Sequence, residues 1–321
     1  MKLGVIGTGA ITRSMLTEYC KCDNFEVNAI YSRKEETGRA MADAFSITKV
    51  YTALADLLAD EEIEIVYVAT PNSIHFSQAK AALIAGKHVI CEKPFTPTVA
   101  EALELIALAK EKHLLLFEAI TLAHHPHYQY IKENLPKLGK LKLVNGTFCQ
   151  YSSRYPALLE GKVSHILSHE YAGGALMDIN LYNIHFAVGL FGSPKNVRYF
   201  ANIHETGADT SGVVILEYDG FICQCVGAKD CNTANSVQVM GEDGHMVITP
   251  TSSNPQNLAL TIRGKDTTSL ALPENAWYYE VMELGRLLEA GDYEACCQAM
   301  ETTRKVVDVL EKARKDAGFH F

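Results

Sequence analysis

Over its first 120 residues the chain alternates short apolar runs with amphipathic stretches, and this rhythm narrows the possible folds more than any other feature. Leu3 to Ile6 reads as a strand, and Ile11 to Tyr19 as a helix with Ile11, Met15, Leu16 and Tyr19 on one face. Val27 to Tyr31 is a second strand, followed by a helix over Lys34 to Phe45 whose Ala40, Met41 and Ala44 face inward. Ile63 to Ala69 reads as a strand buried on both faces and stopped by Thr70-Pro71-Asn72. Ser77 to Ala85 is a helix closed by Gly86. Val89 to Cys91, Val99 to Lys112 and Leu114 to Phe117 continue as strand, helix and strand. Strands and helices in this alternation call for a parallel sheet covered on both sides. The expectation for residues 1–121 is therefore a doubly wound α/β domain.

Beyond residue 122 the rhythm changes. Leu141 to Tyr151 alternates like a strand with one wet face. Asp219-Gly220 is a favoured two-residue turn between Val213–Tyr218 and Phe221–Val226, and a second hairpin joins Val237–Met240 to His245–Ile248. Helical patterns follow over Trp277–Glu289 and Glu294–Lys315. Residues 122–321 are thus expected to form an α+β domain on a large open, mostly antiparallel sheet. Pairing across the first hairpin puts Val214, Leu216, Tyr218, Phe221, Cys223 and Cys225 on one face. The other carries Val213, Ile215, Ile222 and Val226 among Glu217 and Gln224. That second face is too apolar for water, so another subunit is expected to cover it, giving a homodimer or homotetramer through this sheet.

A chain of 321 residues is long for one core, which agrees with two domains. Its net charge of -9 argues against general affinity for nucleic acid or an anionic membrane, and no stretch reaches the apolar length of a membrane-spanning helix. Met1-Lys2 runs straight into the first strand, so no signal peptide is expected. The nine cysteines are odd in number and lack paired C-x-x-C spacing; they read as reduced thiols of a cytoplasmic protein. His124-His125-Pro126-His127 has no acidic or cysteine partner at ligand spacing, so no metal is expected.

Gly7-Thr8-Gly9-Ala10-Ile11-Thr12 lies between the first strand and helix, where a glycine-rich turn binds a dinucleotide in a Rossmann-type domain. Gly7 permits the tight turn, Gly9 lets the backbone approach a diphosphate, and the first helical amides supply donors and a positive dipole end. Thr12 stands where Gly or Ala would pack helix on strand most closely. The end of the second strand selects the cofactor. An acid there favours NAD, whereas this chain has Ser32-Arg33-Lys34, with Glu35 and Glu36 only at the start of the next helix. Ser32 and Arg33 suit a 2′-phosphate, so NADP is expected in preference to NAD.

Cys91-Glu92-Lys93-Pro94 places Lys93 at the carboxyl edge of the parallel sheet, where it can hydrogen-bond a substrate oxygen. Cys91 reads as a small buried filler. His75 and Glu118 fall at carboxyl ends of strands, as cleft residues near the cofactor. Together with Gly7-Thr8-Gly9 and Ala69-Thr70-Pro71-Asn72-Ser73-Ile74-His75, the Glu92-Lys93-Pro94 motif resembles the family of glucose–fructose oxidoreductase, inositol dehydrogenase and MocA-like proteins. Gly173-Gly174-Ala175-Leu176-Met177-Asp178-Ile179-Asn180-Leu181-Tyr182 is similar to a further block of that family. The resemblance spans the whole chain.

It implies Lys93 as the catalytic lysine, Asp178 as the second motif's aspartate, and Tyr182 where inositol dehydrogenase-like members have histidine. Tyrosine there resembles the glucose–fructose oxidoreductase and dimeric dihydrodiol dehydrogenase branches. Asn180 stands where the family has glycine, and Asn tolerates left-handed backbone. If Asp178 to His185 is helical, Asp178, Tyr182 and His185 share one face. In the resulting expectation Tyr182 exchanges a substrate hydroxyl proton while nicotinamide exchanges hydride, and Lys93 is the cation that tunes the phenol. Asp178 orients Lys93 or the substrate. His185 binds substrate or is the rival proton carrier. The implied reaction is that of a dehydrogenase or reductase of a sugar, polyol, diol or related carbonyl compound. The competing readings are a non-catalytic NAD(P)-binding sensor and a redox-neutral enzyme that retains its cofactor. Arg154 and Tyr155 are further pocket candidates.

Overall fold

The structure is a computed structural model that describes residues 1–321. Its first part runs β1 (Lys2–Ile6), α1 (Ala10–Tyr19), β2 (Glu26–Tyr31), α2 (Glu35–Phe45), β3 (Lys49–Tyr51), α3 (Leu54–Ala59), β4 (Ile65–Val68), α4 (His75–Ile84), β5 (His88–Glu92), α5 (Val99–Glu111) and β6 (Leu116–Ala119). These strands form one parallel sheet in the order β3-β2-β1-β4-β5-β6. Strand order reverses between β1 and β4, the switch point beside which open α/β sheets bind ligands. Every residue of β4 and of β6 is buried, as strands covered on both faces require. The short β3 and α3 were not expected from the pattern. β3 is a half-buried edge strand of three residues, and α3 buries only Leu57, so neither carries a readable apolar period.

The chain continues through α6 (Thr121–His124), α7 (Pro126–Asn134), β7 (Leu141–Cys149), α8 (Tyr155–Leu159), a π-helical turn (Leu176–Asn180) and α9 (Leu181–Phe191). Then come β8 (Asn196–Ile203), β9 (Asp209–Tyr218), β10 (Phe221–Ala228), β11 (Ser236–Gly241), β12 (Gly244–Thr251), β13 (Asn254–Ile262) and β14 (Thr268–Ala271). The last helices are α10 (Ala276–Glu289) and α11 (Tyr293–Asp316). The second sheet has the order β14-β13-β12-β11-β7-β10-β9-β8, antiparallel throughout except for the parallel pair β7–β10. The hairpin around Asp219-Gly220 has the register read from the sequence, with Tyr218 opposite Phe221 and Val213 opposite Val226. Gly220 takes the positive φ of +84° that its turn demands.

Two compact units result: Met1–Ala119 with Glu280–Arg304, and Ile120–Tyr279 with Lys305–Phe321. In the first, the returning chain is fastened to β6. Leu116 N donates to Cys296 Sγ at 3.3 Å, and Thr303 Oγ1 donates to Glu118 Oε2 at 2.8 Å. In the second, one sheet face, carrying Val214, Leu216, Cys223 and Cys225, packs in a core with α9 and with Val306 to Ala313 of α11. The opposite face leaves Leu143, Phe200 and Ile222 46%, 66% and 47% exposed. No helix is long and apolar enough to cross a membrane.

Candidate active site

The glycine turn of the first unit is shaped by one close approach. Gly7 has φ of +120°, and a Cβ there would lie 2.1 Å from the Ala69 carbonyl oxygen at the end of β4. Gly9 is different: it caps α1 in extended conformation, and a Cβ on it would project into open space. No side chain caps α1 and its first turn holds no acid, so its leading amides and the space over Gly9 suit a diphosphate. Thr8, Ala10 and Ile11 belong to this turn and the start of α1, while Thr12 is fully buried. The residues present therefore fit a dinucleotide.

At the end of β2, Ser32 is 7% exposed and its hydroxyl is shared with Thr37 Oγ1 at 2.6 Å. Arg33 is exposed and enters no ion pair, whereas Glu35 is occupied by Arg39 at 2.7 Å. The nearest acid on α2 is thus partnered and the arginine is available.

The turn after β4 is braced internally. Thr70 Oγ1 donates to Gln78 Oε1 at 2.7 Å. His75 is fully buried, with Nδ1 2.9 Å from the Pro94 carbonyl oxygen and Nε2 2.8 Å from that of Thr70. Burial lowers its pKa below the ordinary histidine value, against the pull of those two acceptors. His75 therefore ties the Thr70-Pro71-Asn72 turn to the residue that follows Lys93, with both ring nitrogens engaged by protein. Lys93 and Pro94 are joined by a cis peptide bond just beyond β5, and Lys93 is partly exposed. Glu118 is buried and accepts from Phe95 N at 3.1 Å as well as from Thr303, so it anchors the loop after Lys93. Cys91 is fully buried, and burial pushes its thiol well above the ordinary range, which suits a filler and not a nucleophile.

Beneath Lys93 lies a carboxyl cluster that the sequence reading did not include in full. Glu92 is 6% exposed and accepts a hydrogen bond from the Tyr67 hydroxyl. Burial pushes its pKa up to about 7, with the phenol and Lys93 acting in the opposite direction. Glu280, from α10, is 1% exposed with Oε2 unpartnered. Burial, reinforced by Glu92 and Glu118, holds Glu280 well above the usual carboxylate range. Its helical period marks it only as one polar position on an amphipathic helix.

In the second unit the Gly173-Gly174 segment is set by Asp209. Gly174 has φ of +123°, and a Cβ there would meet Asp209 Oδ1 at 2.0 Å. Asp209 Oδ2 accepts from Leu176 N at 2.7 Å and from the Tyr199 hydroxyl at 2.6 Å. Burial pushes this fully buried acid up to about 6. Leu176–Asn180 then forms the π-helical turn, so the regular helix expected from Asp178 begins only at Leu181. Asn180 does not use left-handed backbone: its φ is -69°, and its side chain bridges instead. Asn180 Nδ2 donates to Cys225 O at 3.1 Å, and Asn183 Nδ2 donates to Asn180 Oδ1 at 3.0 Å and to Val226 O at 3.1 Å. Gly227 and Gly146 make room for these two asparagines, since a Cβ on either would lie 2.5 Å and 2.8 Å from them.

This seat presents Asp178, 26% exposed on its side chain, with Tyr182 and His185 buried at 9% and 4%. The Tyr182 ring lies 6.1 Å from that of Phe148. Asp178 Oδ2 accepts from the ammonium of Lys229, a buried cation that sequence reasoning missed. Arg154 and Tyr155 stand at the start of α8, and Arg154 and Asp178 both act electrostatically on His165. His125 packs edge-on against Tyr279 and accepts from His127 N through Nδ1 at 3.3 Å, with its Nε2 buried and unpartnered, and His127 bonds the Pro255 carbonyl through Nδ1 at 2.7 Å.

Comparison with known proteins bears on the fold and the family. Residues 1–120 match the oxidoreductase family with an NAD-binding Rossmann fold, and residues 130–247 match the GFO/IDH/MocA C-terminal domain. The chain is 33% identical to scyllo-inositol 2-dehydrogenase (NADP(+)) IolU of Bacillus subtilis, over 99% of this chain and 97% of that one. It is 27% identical to trans-1,2-dihydrobenzene-1,2-diol dehydrogenase of Mus musculus, over 100% and 98%. Its fold matches the crystal structure of KijD10, a 3-ketoreductase from Actinomadura kijaniata, with a TM-score of 0.87 at 21% identity, covering 98% of this chain and 97% of that one. The fold, the glycine turn and these likenesses together place the chain in the Gfo/Idh/MocA family, as an NAD(P)-dependent oxidoreductase acting on CH–OH or C=O groups.

Proposed function

We propose that this protein transfers hydride between NADP and a sugar, polyol, diol or related carbonyl compound, with Lys93 and Tyr182 assisting proton transfer. Bound nicotinamide supplies the hydride acceptor or donor. Gly7, Thr8, Gly9, Ala10 and Ile11 hold the diphosphate, Ser32 and Arg33 receive the 2′-phosphate, and Thr70, Pro71, Asn72, His75, Glu92 and Glu118 shape or brace the cofactor side. Lys93 donates a hydrogen bond to the reacting oxygen and stabilises alkoxide character. Tyr182 takes or returns the hydroxyl proton, Asp178 orients the substrate, and His185 serves as a substrate-side group.

The observation that carries the cofactor preference is the unpaired Arg33 beside a Glu35 already bound by Arg39. Steady-state rates should show kcat/KM for NADP above that for NAD by about 10-fold or more, the scale of one charge-assisted contact. Equal or inverted rates would remove Arg33 from this role. A panel of polyols, diols and sugars read by NADPH absorbance tests the substrate class, and cofactor binding without turnover on any of them would oppose it.

The exposed Leu143, Phe200 and Ile222 favour self-association through the outer face of the eight-stranded sheet, as a homodimer or homotetramer. Light scattering should give a mass of two or four chains, and replacing Phe200 and Ile222 by lysine should lower it. A monomer at micromolar concentration before substitution would end this assignment.

A further inference from the structure

Lys229 follows β10 directly, and its backbone is held on both sides. Its N–H donates to Thr210 O at 2.7 Å, and its carbonyl accepts from Ser152 N at 2.9 Å. The side chain is 7% exposed, and a lysine so enclosed needs its ammonium paired or hydrogen-bonded. The match is Asp178, whose Oδ2 accepts from the Lys229 ammonium. Taking an ammonium out of water costs several kcal/mol, and a hydrophobic side chain of similar length would fill the same space without that penalty. The ion pair bears on the orientation of Asp178, which also sits in the π-helical turn with its N–H bonded to Gly174 O at 3.0 Å.

We infer that Lys229 is a positioning residue for the reaction: it keeps the Asp178 carboxylate ionised and aimed, so that the second unit presents a fixed hydrogen-bond acceptor to a substrate hydroxyl. This rests on the reading of Asp178 as a site residue. Lys229 belongs to the same unit as Asp178. Of the other ionisable groups in this unit, His165 interacts electrostatically with both Asp178 and Arg154, Asp230 follows Lys229 in the chain, and Tyr182 comes four residues after Asp178 on α9. Asp230 is taken by Ser211 Oγ at 2.8 Å. Neither His165 nor Arg154 is buried, so neither replaces the enclosed ammonium.

Four variants test this: Lys229→Met, Lys229→Arg, Asp178→Asn and the pair Lys229→Met with Asp178→Asn, each with NADP affinity and Tm measured alongside. Lys229→Met should lower kcat/KM by about 10- to 100-fold, the range over which contacting residues couple. It should also move the acidic limb of the pH profile upward, because Asp178 without its cation protonates more readily. Lys229→Arg should restore part of the rate. In the paired variant no buried charge is left alone, so folding is preserved, and its rate should equal that of Asp178→Asn. Losses that multiply in the paired variant, or a Lys229→Met enzyme with the parental rate and pH profile, would overturn the inference. An Asp178→Asn enzyme at the parental rate would instead remove Asp178 from the site.

Discussion

Tyr182→Phe is expected to lower kcat by about 10²- to 10⁴-fold, the contribution typical of a positioned acid or base. The substitution removes one hydroxyl and keeps the ring, so the contact with Phe148 and the packing of α9 persist, and Tm should move little. Tyr182 is 9% exposed in a helix whose seat is fixed from below by Asn180, Asn183 and two close-approach glycines. Its phenol is therefore held in one place, as proton exchange with a substrate hydroxyl requires. NADP affinity should be unchanged, because the glycine turn belongs to the other unit. The loss should fall on kcat more than on KM, since the proton moves only as the reaction proceeds. A variant that turns over at the parental rate would shift the role to His185, and His185→Asn would then show the loss.

Much of this frame was legible in the sequence, and the parts that were not share a physical cause. The parallel sheet announced itself because β1, β4, β5 and β6 are apolar runs bounded by turns, and the hairpin at Asp219-Gly220 because its alternation and turn residues agree. Short edge elements such as β3 bury too little to leave a period. That Glu280–Arg304 folds with the first unit was hidden for another reason: helical periodicity reports an apolar face but not the core that receives it. The candidate residues divide in the same way. Gly7, Lys93, Asp178 and Tyr182 lie in motifs with local order, whereas Lys229, Asp209 and Glu280 reach their neighbours across 51, 33 and nearly 200 positions. Pairings that distant leave no spacing to read. The π-helical turn at Leu176–Asn180 is likewise set from outside the segment, by Asp209 at its start and by Asn180 binding β10 at its end.

Gly7→Ala and Gly9→Ala should both weaken NADP binding, on the order of 100-fold, but for different reasons that stability measurements separate. At Gly7 an added Cβ meets the backbone oxygen of Ala69 at 2.1 Å, and φ of +120° is closed to alanine. The turn after β1 must open, moving the amides of α1 and the Thr70 turn together. Strain of about 1–3 kcal/mol appears as a lower Tm for the first unit along with the lost affinity. At Gly9 the added methyl meets nothing within 4 Å and the backbone is already one that alanine adopts, so the unliganded protein should melt as the parent does. Its methyl instead occupies the space over the uncapped end of α1 where a diphosphate must approach the amides. Isothermal titration with NADP, paired with calorimetric Tm, distinguishes the two. A Gly9→Ala protein that binds NADP as tightly as the parent would show that the cofactor does not approach this backbone, and the diphosphate would have to lie elsewhere along the carboxyl edge of the sheet.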